Sequence, residues 1–301
     1  MIKTSLIFLS VLFSLYTPAH ALIIYGEDDR FEVDDYSDNS FIEKARSVAI
    51  MVSAKTLKYT NKERNFLMFP QITLKTSYKN LCSNERFLEQ VSIDANCTGF
   101  LVGQNKLVTA GHCIVTNNDC KRNVWVFDFK KDTTQFKIND VYSCKKIIKK
   151  KLFQSDKVLG DYAVIELDRP VLDREPLKFR KEGKIKNGTP LVVIGHPLGL
   201  PMKITDGGNV SRMNKEEWKH YFSSLKIREF YFTANLDTYG GNSGSPVFNQ
   251  NTGVVEGILI QGADDFVYNT EKRCRESARR TDGRKTTEET IMRITEVPGL
   301  E

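Results

Sequence analysis

The chain has 301 residues, 40% hydrophobic and 27% charged, an ordinary globular composition long enough for one large β domain or two small ones. The net charge of +6 comes from 44 basic and 38 acidic residues scattered along the chain, which speaks against a nucleic-acid groove. No Cys-x-x-Cys pair occurs among the six cysteines, which speaks against a zinc ribbon.

Residues 1–21 read as a cleaved secretory signal. Lys3 supplies the positive start, residues 6–16 are an apolar run too short to span a bilayer, and Ala19-His20-Ala21 suits a signal peptidase. A membrane anchor is the less favoured reading. The mature chain is then expected in the periplasm or outside the cell, without a membrane partner, where cysteines pair. Residues 26–40 are acidic but lack EF-hand spacing, so a solvated segment is favoured over a calcium loop.

Short runs rich in Val, Ile, Phe and Tyr predict strands at 47–54, 100–103, 106–110, 124–129, 162–167, 190–195, 229–235 and 254–262. A further strand is expected to open at Val247 and Phe248. The basic run "KKIIKKK" (145–151) reads as a solvated strand edge. Helical spacing is confined to 214–225 and 286–294, the latter with Thr286 and Glu289 as a capping box. Many strands and few helices predict an antiparallel β fold, closed or sandwiched.

The segment "GGNSGSPVF" (240–248) packs glycines around Ser243, as a backbone with unusual angles and a close neighbour would require. A serine needs a base to become a nucleophile. His112 offers one, in "LVTAGHC" (107–113) at the end of an apolar strand. Cys97 lies 16 residues before Cys113, and a bridge between them would pin the histidine's turn. Asp161 opens "DYAVIELDRPV" (161–171), where a rigid carboxylate could orient the imidazole. His196 reads as a loop residue and His220 as an exposed helix residue.

In the order His, Asp, Ser, these three segments resemble the trypsin-like serine endopeptidases. "GNSGSPVFN" (241–249) and "IIYGEDDRFEV" (23–33) resemble the bacterial glutamyl-endopeptidase branch. The resemblance implies two six-stranded antiparallel β-barrels with the active site in the cleft between them. It implies a segment over 22–45 with room for a short pro-region, a first barrel over 46–175 and a second over 176–270. A charged segment over 271–301, with the short helix, would follow.

The roles it implies are nucleophile for Ser243, general base and acid for His112, and orienting carboxylate for Asp161. The N–H groups of Gly241 and Ser243 would form the oxyanion hole. No metal or organic cofactor is required. Asn242 stands where animal trypsins carry the aspartate that pairs with a freed N-terminus, so that switch is not expected. Cys82, Cys120, Cys144 and Cys274 allow three pairings; Cys120–Cys144 is favoured as a local staple, and Cys82–Cys274 follows by default.

The wall of the primary specificity pocket would come from Leu259, Ile260, Gln261 and Gly262, and its base from Asp237 and Thr238. Glutamate-specific relatives place a histidine at the position of Leu259, and leucine cannot hold a carboxylate. Asp237 stands where trypsins carry the acid that pairs with Arg or Lys. The function expected is therefore a secreted, monomeric serine endopeptidase acting on protein or peptide substrates after Arg or Lys. The alternatives are glutamyl or broad apolar specificity on the same fold, or a secreted binding module without activity.

Overall fold

A computed structural model describes residues 23–61, 65–152, 160–211, 227–262, 264–280 and 288–300. The signal segment and the helix expected over 214–225, with His220, lie outside the described residues.

Six strands form the first barrel: β1 (Val48–Ser53), β2 (Cys97–Gly103), β3 (Lys106–Thr109), β4 (Asn123–Phe127), β5 (Val141–Lys151) and β6 (Tyr162–Leu167). They close in the order β5-β6-β3-β2-β1-β4, with Val141 opposite Val126 sealing the ring. The second barrel holds β7 (Pro190–Gly195), β8 (Lys203–Ser211), β9 (Tyr231–Ala234), β10 (Pro246–Asn249), β11 (Val254–Gln261) and β12 (Glu289–Arg293). Its order is β7-β10-β11-β12-β9-β8, closed by β7 pairing with β8, and a short strand Arg30–Glu32 adds to β8 from outside. Every pairing within the two rings is antiparallel, and closure removes the exposed edges such strands would otherwise present.

The apolar faces meet in one core that runs between the barrels. Phe100 and Val108 of the first share it with Phe248 and Ile258 of the second. Phe41, from the N-terminal helix Asn39–Ala45, wedges its ring edge-on against Phe248 at 5.6 Å. The disulfides are Cys97–Cys113, Cys120–Cys144 and Cys82–Cys274.

Two expectations are corrected. The helix over 286–294 is not formed: Glu289–Arg293 is β12, lying between β11 and β9 with Ile291 and Met292 buried. The local capping signature loses to the strand pairing and apolar burial that complete the ring. The segment after 270 thus supplies the second barrel with a strand. The basic run 145–151 pairs, among the described residues, with β6 alone, since β4 meets β5 only over residues 141–143; Lys145, Lys146, Lys149 and Lys150 stay exposed, as expected of a solvated edge. The acidic stretch is not simply solvated, for Asp28 holds ion pairs with Arg30 at 2.6 Å and Arg86 at 2.8 Å.

Candidate active site

β3 ends at Thr109, and the chain turns through a single 3-10 turn, Gly111–Cys113, that carries His112 to the cleft. Glycine is required at 111 because a Cβ there would lie 2.0 Å from the Lys151 carbonyl oxygen. Asp161 directly precedes β6, and β6 pairs with β3 through Ala163 opposite Thr109. The two functional groups therefore stand at adjoining ends of paired strands.

His112 Nδ1 lies 2.8 Å from Asp161 Oδ2, and the His112 backbone N–H donates to Asp161 Oδ1 at 2.9 Å. One carboxylate thus holds both the ring and its backbone. A carboxylate only accepts, so the bond puts the proton on Nδ1 and leaves Nε2 as the basic nitrogen. The His112 side chain is 36% exposed and that of Asp161 only 10%. The second barrel steadies Asp161: the Gly160 N–H donates to the Tyr231 hydroxyl at 2.7 Å, and the Asp161 N–H points to Met292 Sδ at 3.1 Å. Burial pushes the Tyr231 hydroxyl up to about 12, which keeps it neutral in this role.

Ser243 lies on the loop between β9 and β10. Its carbonyl accepts the Thr98 N–H at 2.8 Å, and Cys113 Sγ lies 3.7 Å from the same oxygen. The serine is therefore seated on the residues that flank the disulfide beside His112. Gly241 and Gly244 have φ of +93° and +91°. A Cβ at 244 would lie 2.0 Å from the Thr98 carbonyl, and one at 241 would lie 2.6 Å from the His196 carbonyl. Left-handed backbone and close contact explain the glycine pattern. Among the described residues, no acceptor takes the N–H of Gly241 or of Ser243.

His196 is not an ordinary loop residue. It is fully buried beneath the serine loop, with Nδ1 3.1 Å from the Leu200 carbonyl and its ring stacked on Phe129 at 5.9 Å. Burial pushes its pKa down to about 3, so it stays neutral. The ligand atoms of Cys97, His112 and Cys113 lie within 4.8 Å of one another, but both sulfurs are spent in the disulfide and cannot act as thiolates.

A cavity of about 270 Å³ opens beside Ser243. Thr238, Leu259, Gln261 and Gly262 line it. Ile260 does not; strand alternation turns it into the apolar seam between the barrels. Asp237 is absent from the wall as well. Its Oδ1 accepts the Tyr25 N–H at 2.8 Å and its Oδ2 the Asp29 N–H at 3.0 Å, so the N-terminal segment, not the cavity, takes its carboxylate. The acids on the wall are Asp264, Asp265 and Glu289. Asp265 accepts the Gly240 N–H at 3.0 Å, and burial pushes it up to about 6. Sequence reasoning missed these three because they follow the wall strand in a loop and in the unrecognised β12.

The model of the trypsin-like peptidase domain family matches residues 97–258, more than half of the chain. The chain belongs to this family. This trypsin-like peptidase domain is 27% identical over 160 residues to a glutamyl endopeptidase of Bacillus licheniformis, covering 52% of the chain and 46% of the relative. The chain thus spans just under half the length of that curated relative. Among solved structures, it resembles the VesB protease of Vibrio cholerae with a TM-score of 0.51 and 13% identity, covering 89% of this chain and 64% of that one. A Glu endopeptidase matches with a TM-score of 0.51 and 15% identity, covering 91% of this chain and 94% of that one. These two likenesses are to the shared fold of the trypsin-like family.

Proposed function

We propose that the chain is an exported serine endopeptidase that cleaves after Arg or Lys. The observation that carries the activity is the bidentate hold of Asp161 on His112, 2.8 Å to the ring and 2.9 Å to the backbone, at the corner where Ser243 is seated.

The steps follow from these groups. Ser243 Oγ attacks the peptide carbonyl while His112 Nε2 takes its proton. Asp161 favours the imidazolium that forms. The oxyanion is met by the N–H groups of Gly241 and Ser243, each such donor being worth about 10²–10³ in rate. The tetrahedral species collapses, His112 returns the proton to the leaving amine, and Ser243 keeps the acyl group as an ester. Water, deprotonated by the same imidazole, then releases the acid.

The specificity rests on the cavity beside Ser243. Among the described residues its wall carries Asp264, Asp265 and Glu289 and no Lys, Arg or His. A cationic side chain is attracted there, and a glutamate is repelled at short range. This moves the basic preference from Asp237 to other carboxylates. Export is supported by the pairing of all six cysteines, which is the state of an oxidising compartment.

The test is labelling by diisopropyl fluorophosphate followed by cleavage of a peptide library. Stoichiometric labelling of wild type, none of Ser243→Ala, and cuts after Arg or Lys are expected. An unlabelled, folded wild type would make the chain a binding module. Cuts after Glu would carry over the activity named for the relatives and end the basic-residue reading.

A further inference from the structure

Asp237 presents a buried carboxylate on the loop that leads to Ser243, yet both its oxygens face away from the cavity. They hold two backbone N–H groups more than 200 residues earlier in the chain. Asp237 is 2% exposed, and such a group is retained in an interior only when its partners are fixed.

The segment it holds is otherwise tied to different elements. The N–H groups of Ile23 and Ile24 both donate to the Ala278 carbonyl, at 2.8 and 3.0 Å. Ile24 and Tyr25 pair in parallel with Arg279 and Arg280. Arg30 lies over the Tyr239 ring at 4.0 Å while ion-paired to Asp28. Ile23 and Tyr239 both line the cavity beside Ser243. One wall of that cavity is therefore N-terminal segment and another is serine loop. Asp237 is the hydrogen-bonded link between the two, because it sits in the loop and grips the segment.

We propose that Asp237 is a positioning residue that latches residues 23–29 onto the loop before Ser243, so that the N-terminal segment supplies a wall of the specificity cavity. The proposal rests on the reading of that cavity as the site for the substrate's basic side chain. Without the latch, Ile23 keeps its tie to Ala278 but the segment loses its tie to the serine loop, so the two walls of the cavity are no longer held to each other, while His112 and Asp161, on the other barrel, keep their places. A carboxylate is suited to the task because its two oxygens accept from two N–H groups at once. An asparagine offers one accepting oxygen and a donor that opposes the second N–H.

The experiment uses the purified protein with Asp237→Ala, Asp237→Asn and Ile23→Ala. Three quantities are read: the Kd of benzamidine, a small aryl amidinium; the rate of Ser243 labelling by diisopropyl fluorophosphate; and amide hydrogen exchange at Tyr25 and Asp29. For Asp237→Ala we expect benzamidine to bind about tenfold more weakly or worse, a loss of about 1.4 kcal/mol. Labelling should stay near the wild-type rate, and both amides should exchange faster. Asp237→Asn should fall between. Ile23→Ala should weaken benzamidine with both amides still protected, and it serves if Asp237→Ala does not fold. Weakened benzamidine with both amides protected in Asp237→Ala would overturn the proposal, since Asp237 would then touch the ligand itself. Fast exchange with unchanged benzamidine binding, or an Ile23→Ala that binds as wild type, would overturn it too. A wild type that does not bind benzamidine would overturn it together with the basic-residue reading. Failure of Ser243 to label would fall on the endopeptidase reading alone.

Discussion

Thr98 joins the two barrels at Ser243: its N–H donates to the Ser243 carbonyl at 2.8 Å. Thr98 belongs to β2 of the first barrel and follows the half-cystine Cys97. Its hydroxyl also donates to the Gly241 carbonyl at 2.9 Å and accepts the His196 N–H at 3.2 Å. A single buried threonine thus sets Ser243, Gly241 and the buried His196 relative to one another on the strand that Cys97 ties to the turn of His112.

Thr98→Val keeps the shape and removes the hydroxyl. The Gly241 carbonyl and the His196 N–H are then left without a partner, at a cost of about 1–3 kcal/mol for each. The melting temperature should fall, and kcat should fall more than KM rises, because the oxyanion donors shift. Thr98→Ser should recover most of both. Thermal denaturation and steady-state kinetics on the three proteins decide it, and an active, equally stable Thr98→Val would remove the threonine from this role.

The Cys97–Cys113 bridge closes a separation of 16 residues beside His112. A loop of that size is worth about 3 kcal/mol in the chain-entropy account. The double variant Cys97→Ser, Cys113→Ser should lose stability of this order in urea titrations. Ser243 labelling should slow as well, since the bridge holds both the histidine's turn and the strand under the serine. Loss of stability with an unchanged labelling rate would confine the bridge to a structural role.

His196 gives stability a pH dependence of known sign. Its pKa is pushed down to about 3 by burial, against an ordinary value of about 6.5 in an unfolded chain. Between these values the unfolded state binds the extra proton, so stability present above about 6.5 is lost progressively as pH falls towards 3. His196→Phe, which can keep the stacking on Phe129, should flatten the pH dependence of the denaturation midpoint across that window by up to one proton. An unchanged slope would mean that other groups dominate the acid limb.

Asp265 should make substrate binding pH-dependent. Its pKa is pushed up to about 6 by burial, so it carries its charge above that pH and loses it below. KM for an arginyl substrate should rise as pH falls through about 6, and Asp265→Asn should raise KM at pH 8 and remove that step. The folding sign is the reverse. A carboxyl raised in the folded state stabilises it below the unfolded value near 3.8, and that contribution is lost as pH rises through about 6. Asp265→Asn should therefore melt higher than wild type at pH 8 while binding substrate less well. A variant that melts lower and binds equally well would take Asp265 out of the cavity's chemistry.

Most of the first barrel was legible in the sequence, because every strand there except the lysine-rich β5 is a short β-branched or aromatic run bounded by turn residues. The candidate site was legible for a related reason. Ser243, His112 and Asp161 each carry a local signature, and their order supplies the rest. Ile291 and Met292 were not legible as strand, since the capping signature at 286 and 289 is local while the partners that make β12, Tyr231 and Leu259, are distant in sequence. Counting back from Ser243 found Asp237 but could not find its direction. Whether a carboxylate faces a cavity or a backbone depends on which segment packs behind it, and that segment comes from the far end of the chain. The same holds for Asp265 and Glu289, which border the cavity only once the loop after β11 and the strand β12 fold back onto it. Residue types and local spacing determined most strands of the first barrel, the bridge beside His112 and the order of the chemistry. Tertiary packing alone decided which acids line the cavity, because burial and hydrogen-bond partners are set between segments that sequence spacing does not relate.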